Sequence, residues 1–516
     1  MDYISNWVRS PESERVLVLF GQAGMGKSTI AHEVARRFHE EKLLGSSFVF
    51  KRGEDSKRNT YQLFKTIARD LCDRYPSFKI ALAQEIKKDS SLPQARDFQT
   101  LFDCLLLQPL ESLHTNKHIL IVIDALDESG DTAGRTGLHK FLAEHLWELP
   151  SNFRVLVTSR PEHGIEPAFD NATSVHIKHM EDHDLAAKTG EDICAYVKAN
   201  LPFGLFQKYG FQLAEKAEGL FQWAAVACEY ITDPPAGYTQ KDCINAVLKH
   251  SRNLGLGAHG ALNWLYQLYM EVLGGYFKED YVKDRFRSVM GQLLAGCEPL
   301  SIESLTTLRQ HLRDPDYDDS VVAIVKCLGS LMSNATSSDT TLPIVPLHTS
   351  FRDFLTDKTS SGSFYINLAE AHSEVAYSCL DLMVEKLRFN ICHLESSYLP
   401  NDQVPDLQSR IDRYIPLALN YACRFWDNHL ELMTFEHGVF TKLRSVFEEK
   451  FLYWLEVLSL TGNIGFATPA LSSLAGWLGK ARSTVSKHAC TLGMVRLTGT
   501  MLTGSNTRHE DIARIG

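Results

Sequence analysis

Between residues 15 and about 180, short apolar runs alternate with stretches whose apolar positions recur every three or four residues. Residues 15–20 (RVLVLF), 47–51, 118–123 (HILIVI), 153–158 (FRVLVT) and 174–177 read as strands, and 27–41, 60–75, 98–110 and 137–149 read as helices between them. The runs VLVLF and ILIVI within 15–20 and 118–123 are apolar throughout instead of alternating with polar residues, which is the pattern of strands covered on both faces. It predicts a parallel, doubly wound α/β sheet.

From about residue 182 the strand pattern nearly vanishes. Residues 185–201, 211–231 and 261–273 carry apolar positions at helical spacing. Short helical patterns from 281 to 355, with an apolar strand candidate at 342–347, suggest a winged helix, and 365–460 returns to long amphipathic helices. The stretch 461–516 is rich in Gly, Ser and Thr and reads as a divergent, poorly ordered tail. The expected fold is therefore α/β and then mostly α. The expected domains are an NTPase-like domain at 1–180, a helical domain at 181–255, a winged helix at 256–360, a helical linker at 361–460 and the tail. No internal repeat is visible.

Chemistry enters at the end of the first strand. Residues 21–29 (GQAGMGKST) match G-x-x-x-x-G-K-[ST]; a chance match in a chain of this length has a probability of about 2%. Gly21, Gly24 and Gly26 let the backbone curl so that the N–H groups of Gln22, Ala23 and Met25 face a phosphate. Lys27 supplies a point charge, Ser28 ligates Mg²⁺, and Thr29 continues into a helix whose N-terminal end favours an anion. This pattern predicts a nucleoside triphosphate with Mg²⁺.

Two further strand ends complete the candidate site. HILIVIDALDES closes an apolar strand with Asp124, a carboxylate placed to orient the metal shell opposite Ser28. Glu128 is the first choice for a general base acting on water and Asp127 the second, unless both merely cap the next helix. RVLVTSRPE ends its strand in Thr158, Ser159 and Arg160. Ligands of parallel sheets lie at the carboxyl ends of the strands, so Arg160 becomes a candidate γ-phosphate sensor, with a solvated arginine as the plain alternative.

These elements, in this order and detail, resemble the NACHT group of signal-transduction (STAND) P-loop NTPases. The likeness is nearest to fungal members, NOD-like-receptor-like proteins whose NTPase region is also called nephrocystin-like. The segment D-A-L-D-E is similar to that group's second acidic motif, and T-S-R-P to its sensor. AEGLFQWAAVACEYI, CEPLSIESL and PLHTSFRDFL resemble its helical and winged-helix segments, although Gly219–Leu220 stands where many members have a proline near the adenine. The resemblance covers roughly residues 1–460, without the effector domain or WD repeats that such proteins often carry. It implies a cytoplasmic switch, closed with ADP, opened by ATP exchange, with slow or latent hydrolysis and self-association or a signalling partner. It also implies that His348 reaches a nucleotide phosphate, where an adjacent anion favours the protonated imidazole; a histidine anchoring a strand-to-helix turn is the alternative.

Composition narrows the remaining choices. A formal net charge of −10 excludes a general polyanion binder, and residues 314–326 (DPDYDDSVVAIVK) are too acidic for a DNA recognition helix, so no nucleic-acid partner is expected. No apolar run is long enough to span a membrane. The 11 cysteines include no C-x-x-C pair, which fits a reducing compartment. A metabolic P-loop ATPase or kinase would need an arginine-rich lid, which is not evident. A nucleotide-binding remnant without signalling output stays open.

Overall fold

The computed structural model describes residues 2–51, 59–92, 95–115, 117–130, 132–161, 164–170, 172, 174–249, 260–313, 320–396, 398–433 and 436–484. The chain divides into two compact units. One comprises Met1–Gly275 with His348–Ser350, the other Tyr276–Leu347 with Phe351–Gly516.

In the first unit all five apolar runs form strands of one parallel sheet. They are β1 (Val16–Phe20), β2 (Leu44–Val49), β3 (Ile119–Asp124), β4 (Phe153–Ser159) and β5 (Val175–His179). Their order is β2-β3-β4-β1-β5. Alternate residues of a strand face opposite sides of the sheet, and two separate cores follow from that. Val18, Phe20, Ile121, Ile123, Val155 and Val157 pack with Phe64, Ile67 and Phe102 on one face. Leu17, Leu120, Val122 and Leu156 pack with Val34 and Phe38 on the other.

The second face is also covered by Ile4, Trp7 and Val8 of the helix Asp2–Arg9. Neither that helix nor Pro76–Lys88 stands out in the apolar pattern; the latter starts on a proline, whose missing N–H costs nothing at a first helical turn. The stretch 211–231, which reads as one helical pattern, is two helices, Phe203–Lys216 and Phe221–Thr232. Between them Glu218 and Gly219 take φ of 47° and 85°, left-handed values that end a helix.

The strand order has one consequence for function. β4 lies between β1 and β3, with Phe20 level with Ser159 and Ile123 level with Val157. The polar end of β4 is thereby set between the glycine loop after β1 and the acidic turn after β3.

Among its described residues the regular elements of the second unit are helices, joined by turns and irregular stretches with isolated bridges. The expected strand at 342–347 is reduced to single antiparallel bridges, Ser301 with Pro343 and Met332 with Pro346; prolines lack the N–H that a continuous ladder requires. Helices Leu368–Lys386 and Leu417–Leu432 enclose a buried polar chain. The Cys297 N–H donates to Tyr421 Oη, Tyr421 bonds His429 Nε2, and His429 Nδ1 lies 2.9 Å from His372 Nδ1.

Within the expected tail, residues Ala467–Thr484 form a helix, and Ala470, Leu474 and Trp477 are buried. This corrects the sequence reading for that part, because its small residues leave an apolar stripe at helical spacing. Residues 485–516 lie outside the described residues, as do 250–255 of the expected helical domain and 314–319 of the acidic segment. Among the described residues, no helix is long and apolar enough to cross a membrane.

Candidate functional site

The glycine loop joins β1 to the helix Lys27–Glu40. Gly24 and Gly26 sit at φ of 86° and 88°, where a side chain is strained, so the loop needs glycine at both. Gly24 is restricted a second time. Its carbonyl accepts the Gln222 N–H at 3.2 Å, and a Cβ there would come within 3.0 Å of the Gln222 side chain. A Cβ at Gly26 would meet the Phe221 ring at 3.4 Å. Phe221 and Gln222 open the helix after the Gly219 break, and sequence reasoning assigned them no part in the loop.

Within the loop the Gln22 N–H donates toward Met25 Sδ at 3.2 Å and Glu181 Oε1 at 3.3 Å. Ala23 and Met25 are buried. Thr29 lies in the first turn of the helix, beyond Ser28. Lys27 Nζ donates to the carbonyls of Gly21 and Gln22 at 2.7 and 2.9 Å. An ammonium carries three donors, and these carbonyls take two. Burial pulls the Lys27 pKa down to about 8, with Asp127 opposing and Arg160 adding to the fall. Desolvation with only partial compensation leaves a cation that gains from an incoming anion.

At the end of β3, Asp124 is buried and its carboxyl pKa is raised by desolvation, against hydrogen bonds from Thr158 and Ser28. Thr158 Oγ1 donates to Asp124 Oδ1 and accepts the Ala125 N–H at 3.0 Å. Ala125 takes a left-handed φ of 56°, which turns the chain sharply into the short helical turn Leu126–Glu128. The Ser28 hydroxyl and Asp124 carboxylate thus meet across the sheet, a hard oxygen pair of the kind that holds Mg²⁺ through its water shell.

Asp127 and Glu128 are both buried. Asp127 accepts the Arg160 main-chain N–H at 3.1 Å on one oxygen and faces Arg160 Nε at 3.2 Å with the other. The Glu128 N–H closes the turn onto the Ala125 carbonyl at 2.9 Å. Behind it, His139 Nε2 lies 3.3 Å from both Ser129 Oγ and the Leu126 carbonyl. Arg160 is therefore an anchored side chain and not a solvated one, and its Nη2 donates to Thr349 Oγ1 at 2.6 Å.

Thr349 belongs to the three-residue segment of the first unit that also carries His348. The His348 ring feels burial first, then the charges of Arg160 and Lys27, with Asp127 opposing, and its pKa falls to about 3. Burial and these two cations disfavour the protonated ring, whereas the protonated form expected from the sequence was that of a ring beside a bound phosphate. Its Nδ1 accepts the Ser350 N–H at 3.1 Å and lies 2.7 Å from Ser350 Oγ, which is 2.8 Å from Tyr269 Oη. The structure thus gathers Lys27, Ser28, Asp124, Asp127, Arg160 and His348 around the loop. Thr349, Ser350 and Tyr269 carry no motif that would reveal their part.

The family described as Nephrocystin 3, N-terminal, matches residues 2–160, the segment that contains the glycine loop, the acidic turn and Arg160. No curated protein matches the chain in sequence. Among solved structures, a Signal Transduction ATPase with Numerous Domains with a tetratricopeptide repeat sensor from Pyrococcus horikoshii is similar at 12% identity and a TM-score of 0.39, over 100% of this chain and 69% of its own. The Aeropyrum pernix ORC1 protein, solved in complex with DNA, is similar at 13% identity and a TM-score of 0.26, over 70% of this chain and 91% of its own. Likeness this slight carries no argument about activity or partners.

Proposed function

We propose that the chain is a nucleotide-operated switch of the signal-transduction ATPase type, binding ADP and ATP with Mg²⁺ at the loop of residues 21–29. One observation carries the reading. His348, from a distant part of the sequence, lies within electrostatic reach of Lys27, Arg160 and Asp127. A metabolic kinase would bring lid arginines to this place, whereas a histidine there suits a switch that reads nucleotide state.

In this reading the loop N–H groups and Lys27 hold the phosphates, while Ser28 and Asp124 hold Mg²⁺. The ion supplies charge neutralisation on the phosphate oxygens when bound. Arg160, anchored by Asp127, is the group that a γ-phosphate attracts. Asp127 is committed to that ion pair, which leaves Glu128 as the candidate base for the attacking water. A base held in a tight buried turn favours slow hydrolysis, as a switch requires. His348 engages the diphosphate, and exchange for ATP frees it, biasing self-association or the binding of a signalling partner. The cytoplasm is the expected setting.

The test is to purify the full chain, identify any bound nucleotide by mass, and measure its exchange. Bound ADP that is lost in Lys27→Ala and exchanges slowly for ATP is the expected result. Protein with no micromolar affinity for either nucleotide defeats the proposal, and rapid phosphoryl transfer to a small acceptor favours the metabolic enzyme instead.

A further inference from the structure

We infer that Ser350 and Tyr269 are positioning residues that fix His348 as its Nε2–H tautomer, so that it offers a neutral N–H donor to the nucleotide's phosphate; this rests on the nucleotide-binding reading above.

The argument turns on one hydrogen whose place is not in question. The Ser350 main-chain N–H points to His348 Nδ1 at 3.1 Å, and a main-chain N–H can only donate. Nδ1 must therefore present its lone pair. The Ser350 hydroxyl, 2.7 Å from the same nitrogen, finds no hydrogen there to accept and must donate as well. Its acceptor side then faces Tyr269 Oη at 2.8 Å, so Tyr269 donates to Ser350. One fixed N–H sets the direction of the whole chain, Tyr269 to Ser350 to His348.

A neutral imidazole has a single N–H, and with Nδ1 accepting it lies on Nε2. Tyr269 and Ser350 are both fully buried, so neither gains by turning to water. Protonating Nδ1 would set its hydrogen against two donors. Burial and the charges of Arg160 and Lys27 press the same way, and only Asp127 opposes them. The consequence differs from that of an imidazolium. A neutral donor keeps one strength across the neutral pH range, and its direction is fixed by residues that never touch the ligand, as outer-shell partners orient a metal-binding histidine.

The experiment uses the full chain labelled with ¹⁵N-histidine, with the His348→Gln spectrum identifying the His348 signals. Long-range ¹H–¹⁵N correlation without nucleotide is expected to show an unprotonated Nδ1 and a protonated Nε2, unchanged between pH 8 and pH 5. Tyr269→Phe and Ser350→Ala keep the main-chain N–H and so the Nε2–H tautomer. They release the side-chain hydrogen bonds that hold the ring's direction, and are expected to weaken ADP binding about 5- to 10-fold, the worth of one hydrogen bond. Ser350→Thr, which keeps the hydroxyl, recovers most of the affinity. An imidazolium or Nδ1–H form in the wild-type protein overturns the inference. So does unchanged ADP affinity in the two variants, and Tyr269→Phe supplies that test even if Ser350→Ala does not fold. Absence of Lys27-dependent ADP binding in the wild type defeats the nucleotide reading instead, and the tautomer spectra distinguish the two failures.

Discussion

Arg160 and Asp127 hold each other twice: the main-chain N–H of Arg160 meets one carboxylate oxygen at 3.1 Å and its guanidinium Nε meets the other at 3.2 Å. Both side chains are largely buried, at 14% and 3% exposure, so screening by water is weak. Asp127→Ala is expected to destabilise the first unit by about 3 kcal/mol, because it strands a buried guanidinium. Asp127→Asn, which keeps an acceptor for the N–H, should cost clearly less. Urea denaturation followed by tryptophan fluorescence makes the comparison, and equal losses would contradict the double bond.

Thr158 ties the ends of two strands together, giving its hydrogen to Asp124 and accepting the Ala125 N–H. Thr158→Val keeps the volume and removes both bonds. Two buried groups lose their partner, so a loss of about 1–3 kcal/mol is expected, with Thr158→Ser close to wild type. A neutral result in thermal unfolding for Thr158→Val would remove Thr158 from the site's framework.

Ala125 occupies a left-handed conformation that β-branched residues adopt only under strain. Ala125→Val is expected to cost about 1–3 kcal/mol, and Ala125→Gly to stay within about 1 kcal/mol of wild type. Matching stabilities for all three would mean that the turn after β3 can relax.

Lys27 is a half-buried cation whose pKa is lowered to about 8 by desolvation. Lys27→Met should leave unfolding stability within about 1 kcal/mol of wild type, since removing a desolvated charge offsets the two carbonyl bonds that are lost. ADP binding should fall by two orders of magnitude or more. Calorimetric titration beside a denaturation curve separates the two effects, and retained binding would exclude Lys27 from the phosphate site.

His348 gives a pH signature with a definite sign. Its folded pKa, about 3, lies below the ordinary value of 6.5, so the unfolded chain binds the proton more readily. The stability due to the neutral ring is complete above pH 6.5 and is lost as pH falls from there toward 3. The groups that act on the ring are Lys27, Arg160, Asp127 and Ser350, with Tyr269 behind Ser350. Between pH 6.5 and pH 5, wild type should lose about 1–2 kcal/mol more than His348→Gln. Parallel stability curves for the two proteins would exclude a desolvated, neutral His348.

The apolar runs by themselves marked the strands, most plainly the central β1 and β3, because strands buried on both faces are apolar along nearly their whole length. The edge strands β2 and β5 carry polar residues. The glycine spacing and the acidic strand end likewise marked Lys27, Ser28 and Asp124, since loop curvature and an ammonium after a tight turn are local demands written in neighbouring residues. Local pattern also misled: the stripe of 467–484 was hidden by small residues, and residues 211–231 looked continuous until Glu218 and Gly219 turned left-handed.

Only the tertiary structure decided that β4 lies between β1 and β3, which brings Thr158 to Asp124 and Arg160 to Asp127. It alone joined Arg160 to Thr349, 189 residues away, and set Tyr269 and Ser350 behind His348. Such contacts are made across the fold by one hydroxyl or one ring at a time. No periodicity or spacing encodes them, because their partners are neighbours in space and strangers along the chain.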